Sequence, residues 1–552
     1  MPEYQTTKNK ILLFLIPIAF VALNLSYLSV IFPLYSGPPG YDQDPAYAYL
    51  FNGLLILDGQ VPWHVDHPGT PLQFISAAVV LFLNAYSEIF NGVQQSNLID
   101  SVLQDPEIYL YGVSCVVLIM NAGALYYFGY RVLSASKTIW LAIFCQVSGV
   151  SFAILTPRAA YVAPEALLLF TTFCFLGLLT PYIFSDRKNP QNSQKFPTPS
   201  VGIILGFGLA LKVTFMPMLG LIFLISSYKK IIKILLYALI TFLLLITPIY
   251  TNFDRMFGWL WSVASHSGIH GSGSRLVMDW SQLLTNIKLV VSWYSLLYGV
   301  MLSLFIFIVA VLILRAKKLV NNISIRTPFV FVLVVAAQTI LVLKHPGAHY
   351  LIPVLPLAYV GFAWMLYQVI EGAETSQKFK NRKFQFVMIS LAAMFALYGT
   401  VPTVKQLFIM KEQRIAQNNA LTEIKSEIEK FPNALTICAF RCTTFQYAVS
   451  MGLLYAPGLA SRPVVPSLLK NFYEYNFLVK EMIAPGMGSF PLADVPKQIN
   501  EHGKLFLITP KNYPDLNVFK LQLVVSAGAL MLYEITGLSD ELQAKQSRGQ
   551  TN

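Results

Sequence analysis

The chain is 552 residues long, 55% hydrophobic and only 12% charged, and its mean hydropathy is positive. A soluble fold cannot cover that much apolar surface, so the sequence describes an integral membrane protein. The 39 Lys and Arg against 27 Asp and Glu leave a net charge of +12, but the basic residues fall in short clusters between apolar runs. That distribution suits membrane topology and excludes a grip on nucleic acid.

Met1 to Lys10 followed by an apolar run to Pro33 is too long for a secretion signal and lacks a small-residue cleavage site, so it is an uncleaved first span. Between Ile11 and Tyr130 there is no Lys or Arg, but there are eight acidic residues. A basic-free segment between apolar runs belongs on the far side of the membrane. Runs long enough to cross recur at about 108–130, 138–156, 164–185, 231–250, 289–314, 327–343, 350–369 and 384–402. The stretch 200–228 is too long for one span and is broken by Lys212 and Pro217, which predicts two short helices meeting near Lys212 at the outer surface.

Pro71 to Phe90 is apolar enough to cross, but a polar, basic-free stretch follows it up to Glu107. Laid on or into the outer face, it leaves eighteen Lys and Arg inside, six outside and fifteen in the tail. Letting it cross inverts that bias, so the charge rule favours eleven spans and a first outer loop over residues 35–107. Arg131–Lys137, Asp186–Lys195, Tyr228–Lys233, Arg315–Arg326 and Glu371–Lys383 are then cytoplasmic. Residues 1–402 form the transmembrane domain and 403–552 an extracytoplasmic one. The tail predicts a helix over 405–430 and buried strands at Ala434–Cys438, Lys504–Thr509 and Leu521–Val525, a small mixed α/β domain. Asp540–Asn552 is polar and expected to fray. Cys115, Cys145 and Cys174 lie in apolar segments as small core residues. For Cys438 and Cys442, a disulfide and a free pair are both open.

Several motifs resemble the GT-C superfamily of membrane glycosyltransferases, which includes protein O-mannosyltransferases and the lipid A aminoarabinose transferase. They are the acidic segment Tyr41-Asp-Gln-Asp-Pro-Ala-Tyr-Ala-Tyr49, His67-Pro68 ahead of an apolar helix, Arg158-Ala-Ala-Tyr-Val-Ala-Pro-Glu165, and Lys344-His-Pro-Gly-Ala-His-Tyr-Leu-Ile-Pro353. The resemblance covers the first 400 residues and implies a polytopic α-helical GT-C fold of about eleven transmembrane helices. It implies that Asp44 corresponds to the catalytic acid, with Asp42 fitting less well, and Glu165 to the second acid. The Lys344 element, with His349 and Tyr350, corresponds to the part that holds a lipid-linked phosphate. Gln43, where many relatives carry an acid, and Gly69-Thr70, where the mannosyltransferases have a second Pro, depart from the pattern.

The chemistry points the same way. A sugar on a polyprenyl phosphate leaves with a phosphate, already a good leaving group. What is needed is a carboxylate to take the acceptor hydroxyl's proton and cations to hold the phosphate. Asp44 is the expected base, with Asp42 or Glu165 orienting the acceptor or a metal. Arg158, Lys212, Lys344 and His349 form the expected phosphate cradle. Displacement in line inverts the anomeric centre.

Plainer roles stand beside these. Asp42 and Asp44 before Pro45 are also what a turn and helix cap need. His64 and Asp66, with Asp42 and Asp44, are the candidate ligands for a divalent metal, the one cofactor the residues suggest, but an outer-loop His is more often simply hydrogen-bonded. Lys212 could snorkel to the interface. The loop 252–286, carrying His266, His270 and flanking tryptophans, could close over the sugar or be a passive polar loop.

The sequence is therefore expected to encode a hexosyl- or pentosyltransferase of a bacterial inner membrane. It would move a sugar from a polyprenyl-phosphate donor to a glycolipid, polysaccharide or protein acceptor on the extracytoplasmic side, among membrane lipids and without nucleic acid. The rival is a transporter or flippase of lipid-linked sugars, which would place ionisable residues inside the spans near the midplane.

Overall fold

The computed structural model describes residues 6–36, 45–92, 97–184, 197–267, 273, 280–318, 324–374, 382–439, 443–476, 481–485, 488–511 and 516–540. Among them, nine helices are long and apolar enough to cross a membrane, including Thr7–Ile31, Pro106–Ser136, Pro164–Ile183, Ser295–Ala316 and Arg326–Lys344. The helix over Thr70–Phe90, expected to lie on the outer face, also qualifies by length and composition. The expected span 138–156 appears instead as a nine-residue helix, Ile139–Val147. It ends where Ser148 and Ser151 turn their hydroxyls onto the carbonyls of Cys145 and Val147, a local competition with helical pairing that small polar residues provide.

The chain divides into two compact units. The first comprises residues 1–27, 65–72 and 114–406. Its regular helices are interrupted at several points. The stretch 200–228 is an α-helix, Thr198–Leu211, followed by a 3₁₀ segment, Val213–Leu224, with extended backbone at Lys212 between them, as the break in the sequence predicts. Residues 348–354 form a second 3₁₀ segment containing Pro353. Gly202 and Gly206, four apart, let the Thr198 helix approach the backbone of Tyr228–Ile246 so closely that a Cβ at either would collide with it, the small-residue packing typical of membrane helices.

While residues 65–72 belong to the first unit, the second comprises residues 28–64, 73–113 and 407–552, so most of the segment expected as the first outer loop shares a unit with the tail. Buried Asn52 joins them: its amide donates to the Tyr455 carbonyl at 2.9 Å, and its oxygen accepts from the Trp63 and His64 amides at 2.6 and 2.9 Å. The tail's expected helix over 405–430 is the end of one continuous helix, Arg382–Ile428, which carries Pro402 inside it. Beyond it lies a seven-stranded sheet in the order β4-β3-β2-β1-β5-β7-β6. The strands are β1 (Leu435–Cys438), β2 (Phe472–Asn476), β3 (Glu481–Ala484), β4 (Gly488–Pro491), β5 (Leu505–Pro510), β6 (Phe519–Ala527) and β7 (Leu530–Leu538). Parallel β2-β1-β5 form the centre and the remaining pairs are antiparallel. β1 and β5 read as unbroken apolar runs because both their faces are covered, and Leu435, Ile437, Leu505, Leu507 and Ile535 make the core there. Cys438 is disulfide-bonded, and Cys442 lies outside the described residues.

Candidate active site

The first unit gathers charge where its helices break. Pro164 opens a helix whose second residue is Glu165, a position where the helix dipole favours a carboxylate. Lys212, in the extended residue between two helical segments, turns its side chain inward and is 4% exposed. Its Nζ donates to Glu165 Oε1 at 2.5 Å and lies 4.7 Å from the centre of the Tyr350 ring. His349 packs against Tyr350 with ring centres 4.1 Å apart and the planes tilted by 49°, and places Nε2 at 3.9 Å from Glu165 Oε1. Residues 47 and 137 positions apart from Lys212 thus meet it at one point, and each comes from a segment that proline interrupts.

Arg158 sits in the short helix Leu155–Ala159, its guanidinium 5.2 Å from the centre of the Tyr161 ring. Lys344 ends the Arg326 helix and donates to the Ala264 carbonyl at 2.5 Å. The Tyr294 hydroxyl donates to the Ala348 carbonyl at 3.3 Å and steadies the segment that bears His349. Of the expected phosphate cradle, Lys212 and His349 are in the cluster with Glu165. Tyr350 joins them as the ring both contact.

His67 packs edge-on against Trp259 with ring centres 4.8 Å apart, and Asp66 pairs with Arg255 at 3.7 Å. These contacts tie the His-Pro turn to the helix Phe253–Ser265. His266 follows that helix and shares a hydrogen bond of 2.9 Å with Ser265 Oγ. Asp42, Asp44 and His270 lie outside the described residues.

The second unit holds another enclosed carboxylate, partly buried. Glu107, again the second residue of a helix that begins with proline, accepts from the Leu34 amide at 2.7 Å, the Tyr35 amide at 3.2 Å and the Tyr47 hydroxyl at 2.5 Å. Leu34 and Tyr35 precede Asp42 and Asp44 in the sequence and Tyr47 follows them, so one carboxylate holds the chain on either side of the two aspartates. Burial first, and the Glu107 charge second, push the Tyr47 hydroxyl well above its ordinary value. Arg414 donates to the Phe32 and Pro33 carbonyls just upstream. His64 is buried between the rings of Tyr49 and Tyr455. Asp58 at the end of helix Ala46–Leu57 pairs with Arg462 of the tail, whose hydrogen bond draws the carboxyl below its usual value. Among the described residues no group of three or more His, Cys, Asp or Glu could hold a metal ion.

Glu107 escaped sequence reasoning because its partners are mostly backbone amides, which no motif spells. Its placement after Pro106 at the head of an apolar run, identical to that of Glu165, is the signal that was present.

No protein-family model matches the sequence, and no curated protein matches it either. Among solved structures, the chain is similar to ArnT from Cupriavidus metallidurans in the apo state, with a TM-score of 0.52 and 10% sequence identity over 94% of this chain and 97% of that one. At that identity the likeness is one of fold. The chain is an integral membrane protein with an ArnT-like architecture.

Proposed function

We propose that this protein is a GT-C-type glycosyltransferase that moves a sugar from a polyprenyl-phosphate donor to an acceptor hydroxyl on the extracytoplasmic side of the membrane. The observation that carries the proposal is the meeting of buried Glu165 and Lys212 with the partly exposed His349 and Tyr350 at three helix breaks of an ArnT-like fold. Glu165 and Lys212 are both withdrawn from solvent, where an ionisable pair is costly to keep, and its upkeep argues for use.

The acceptor oxygen attacks the anomeric carbon as the bond from that carbon to the phosphate oxygen breaks. The phosphate leaves with the electron pair as polyprenyl phosphate, and the acceptor's proton passes to Asp44. Lys212, with Arg158, Lys344 and His349 nearby in the chain's broken segments, stabilises the departing phosphate, and Tyr350 supplies a wall against which the lysine is held. Glu165 is engaged by Lys212, so its role is that of a counter-ion that keeps the lysine aimed when no phosphate is bound. The acceptor is a glycolipid, a polysaccharide or a protein, and the sheet domain helps to select it.

The test is release of polyprenyl phosphate from a panel of polyprenyl-phosphate sugars in membranes bearing the protein. Asp44→Asn should lower turnover by about 10²- to 10⁴-fold with donor affinity retained, while Asp42→Asn should cost less. Lys212→Ala should lose donor affinity. Full turnover by Asp44→Asn would remove that residue as base. Donor movement across the membrane without cleavage would replace transfer by transport.

A further inference from the structure

Two carboxamides deep in the first unit have no part in the proposed chemistry: Asn121, within helix Pro106–Ser136, and Gln338, within Arg326–Lys344, both wholly buried. Asn121 Nδ2 lies within hydrogen-bond distance of three carbonyl oxygens: Val117 in its own helix at 3.0 Å, Ala159 at 2.9 Å and Ala166 at 3.0 Å. Ala159 follows Arg158, and Ala166 follows Glu165. Gln338 Nε2 donates to the Thr214 carbonyl at 3.1 Å and the Tyr350 carbonyl at 2.7 Å. Thr214 is two residues beyond Lys212, and Tyr350 is next to His349. Each amide therefore bridges two segments that carry cluster side chains. Together the two amides cover Arg158, Glu165, Lys212, His349 and Tyr350.

The physical need is clear. Ala159 ends a short helix, and Thr214 and Tyr350 lie in 3₁₀ segments, so α-helical pairing is interrupted where their carbonyls stand. Away from solvent such groups are costly unless protein donors replace the lost helical pairing. A side-chain amide carries two N–H groups and no charge, which lets it bridge two carbonyls without adding to the field of the cluster.

We infer that Asn121 and Gln338 are positioning residues: Asn121 sets the separation of Arg158 from Glu165, and Gln338 sets Lys212 against His349 and Tyr350. The bridging itself is independent of the glycosyl-transfer proposal; its consequence for phosphate binding rests on it.

Two measurements on the full-length protein in detergent test this. Hydrogen exchange reads the positioning without any ligand. Asn121→Leu should speed exchange at least ten-fold in peptides covering 156–168, and Gln338→Met should do so in those covering 210–216 and 346–354. Unchanged exchange in both sets of peptides would overturn the inference. Binding of farnesyl phosphate reads the consequence: both variants should bind at least ten-fold more weakly than the parent. Gln146→Met is the control for a merely structural loss. Gln146 also bridges two carbonyls, Leu13 and Leu125 at 3.1 Å each, but neither lies beside the cluster in sequence. It should match the other variants in lowered melting temperature and keep parental affinity. Equal weakening by all three would reduce Asn121 and Gln338 to general supports. A parent that binds no farnesyl phosphate would defeat the phosphate cradle while leaving exchange to decide the positioning. If Asn121→Leu does not accumulate, Asn121→Ser takes its place, because a serine hydroxyl returns to its own helix and does not reach Ala159 or Ala166.

Discussion

Glu107 and Glu165 share one local design, a Pro-Glu pair opening an apolar helix, and the two units put it to different uses. Glu165 is answered by a cation, Lys212, with His349 beside it. Glu107 is answered by two backbone amides and a tyrosine hydroxyl. A carboxylate satisfied by amides of its own unit is a fixed brace for the chain around it. A carboxylate satisfied by a lysine is an exchangeable partner, since an incoming phosphate can compete for the same ammonium. The helix start selects for an acid, while its partner decides between architecture and chemistry.

The largest effect that would sharpen this contrast is expected at Lys212. Replacing it by Met leaves Glu165 buried without its partner and should destabilise the first unit by about 3–5 kcal/mol, read as a lowered melting temperature in detergent. Adding Glu165→Gln should recover much of that loss, because the two residues act as one pair. Losses that simply add would mean the pair is not coupled.

At Glu107 the expected loss is smaller. Glu107→Gln keeps the shape but trades one acceptor oxygen for a donor facing amide N–H groups. It should cost roughly 1–3 kcal/mol and slow sugar transfer, because both flanks of the segment bearing Asp42 and Asp44 loosen. A variant with parental melting temperature and turnover would show that the brace is dispensable.

The smallest effect concerns a third acid, Glu474 on β2, which is partly buried and accepts from the Ser450 hydroxyl. Burial pushes its carboxyl up to about 7 from an ordinary 4.5. The folded domain thus holds this proton more tightly than the unfolded chain, so stability is lost as pH rises from about 4.5 to about 7. Glu474→Gln should raise the melting temperature above pH 7 by a few degrees and leave it unchanged near pH 4.5. A gain of equal size at both values would assign the effect to packing instead of ionisation.

What could be read from the sequence was local. Apolar runs near 17–25 residues announce helices in a bilayer because every backbone group there must be paired within its own segment. The break at Lys212 was legible because a charge and a nearby proline interrupt such a run, and β1 and β5 because short β-branched and leucine-rich runs lie between turn residues. The continuous helix Arg382–Ile428 was not expected, because its apolar first half and polar second half look like different elements. Nor was the interruption at Tyr294 between Leu283–Trp293 and Ser295–Ala316, since its backbone dihedrals leave no mark in hydropathy. Asn121 and Gln338 are amides within apolar helices, and nothing local says which carbonyls they serve.

By itself, then, the sequence determined that this chain spans a membrane and that a helix breaks at Lys212, because length, hydropathy and proline act within a few residues. Only the tertiary structure decided that Glu165 meets Lys212 while Glu107 meets backbone amides. Those pairings join residues 47 to 73 positions apart, and at such separations a partner is chosen by packing.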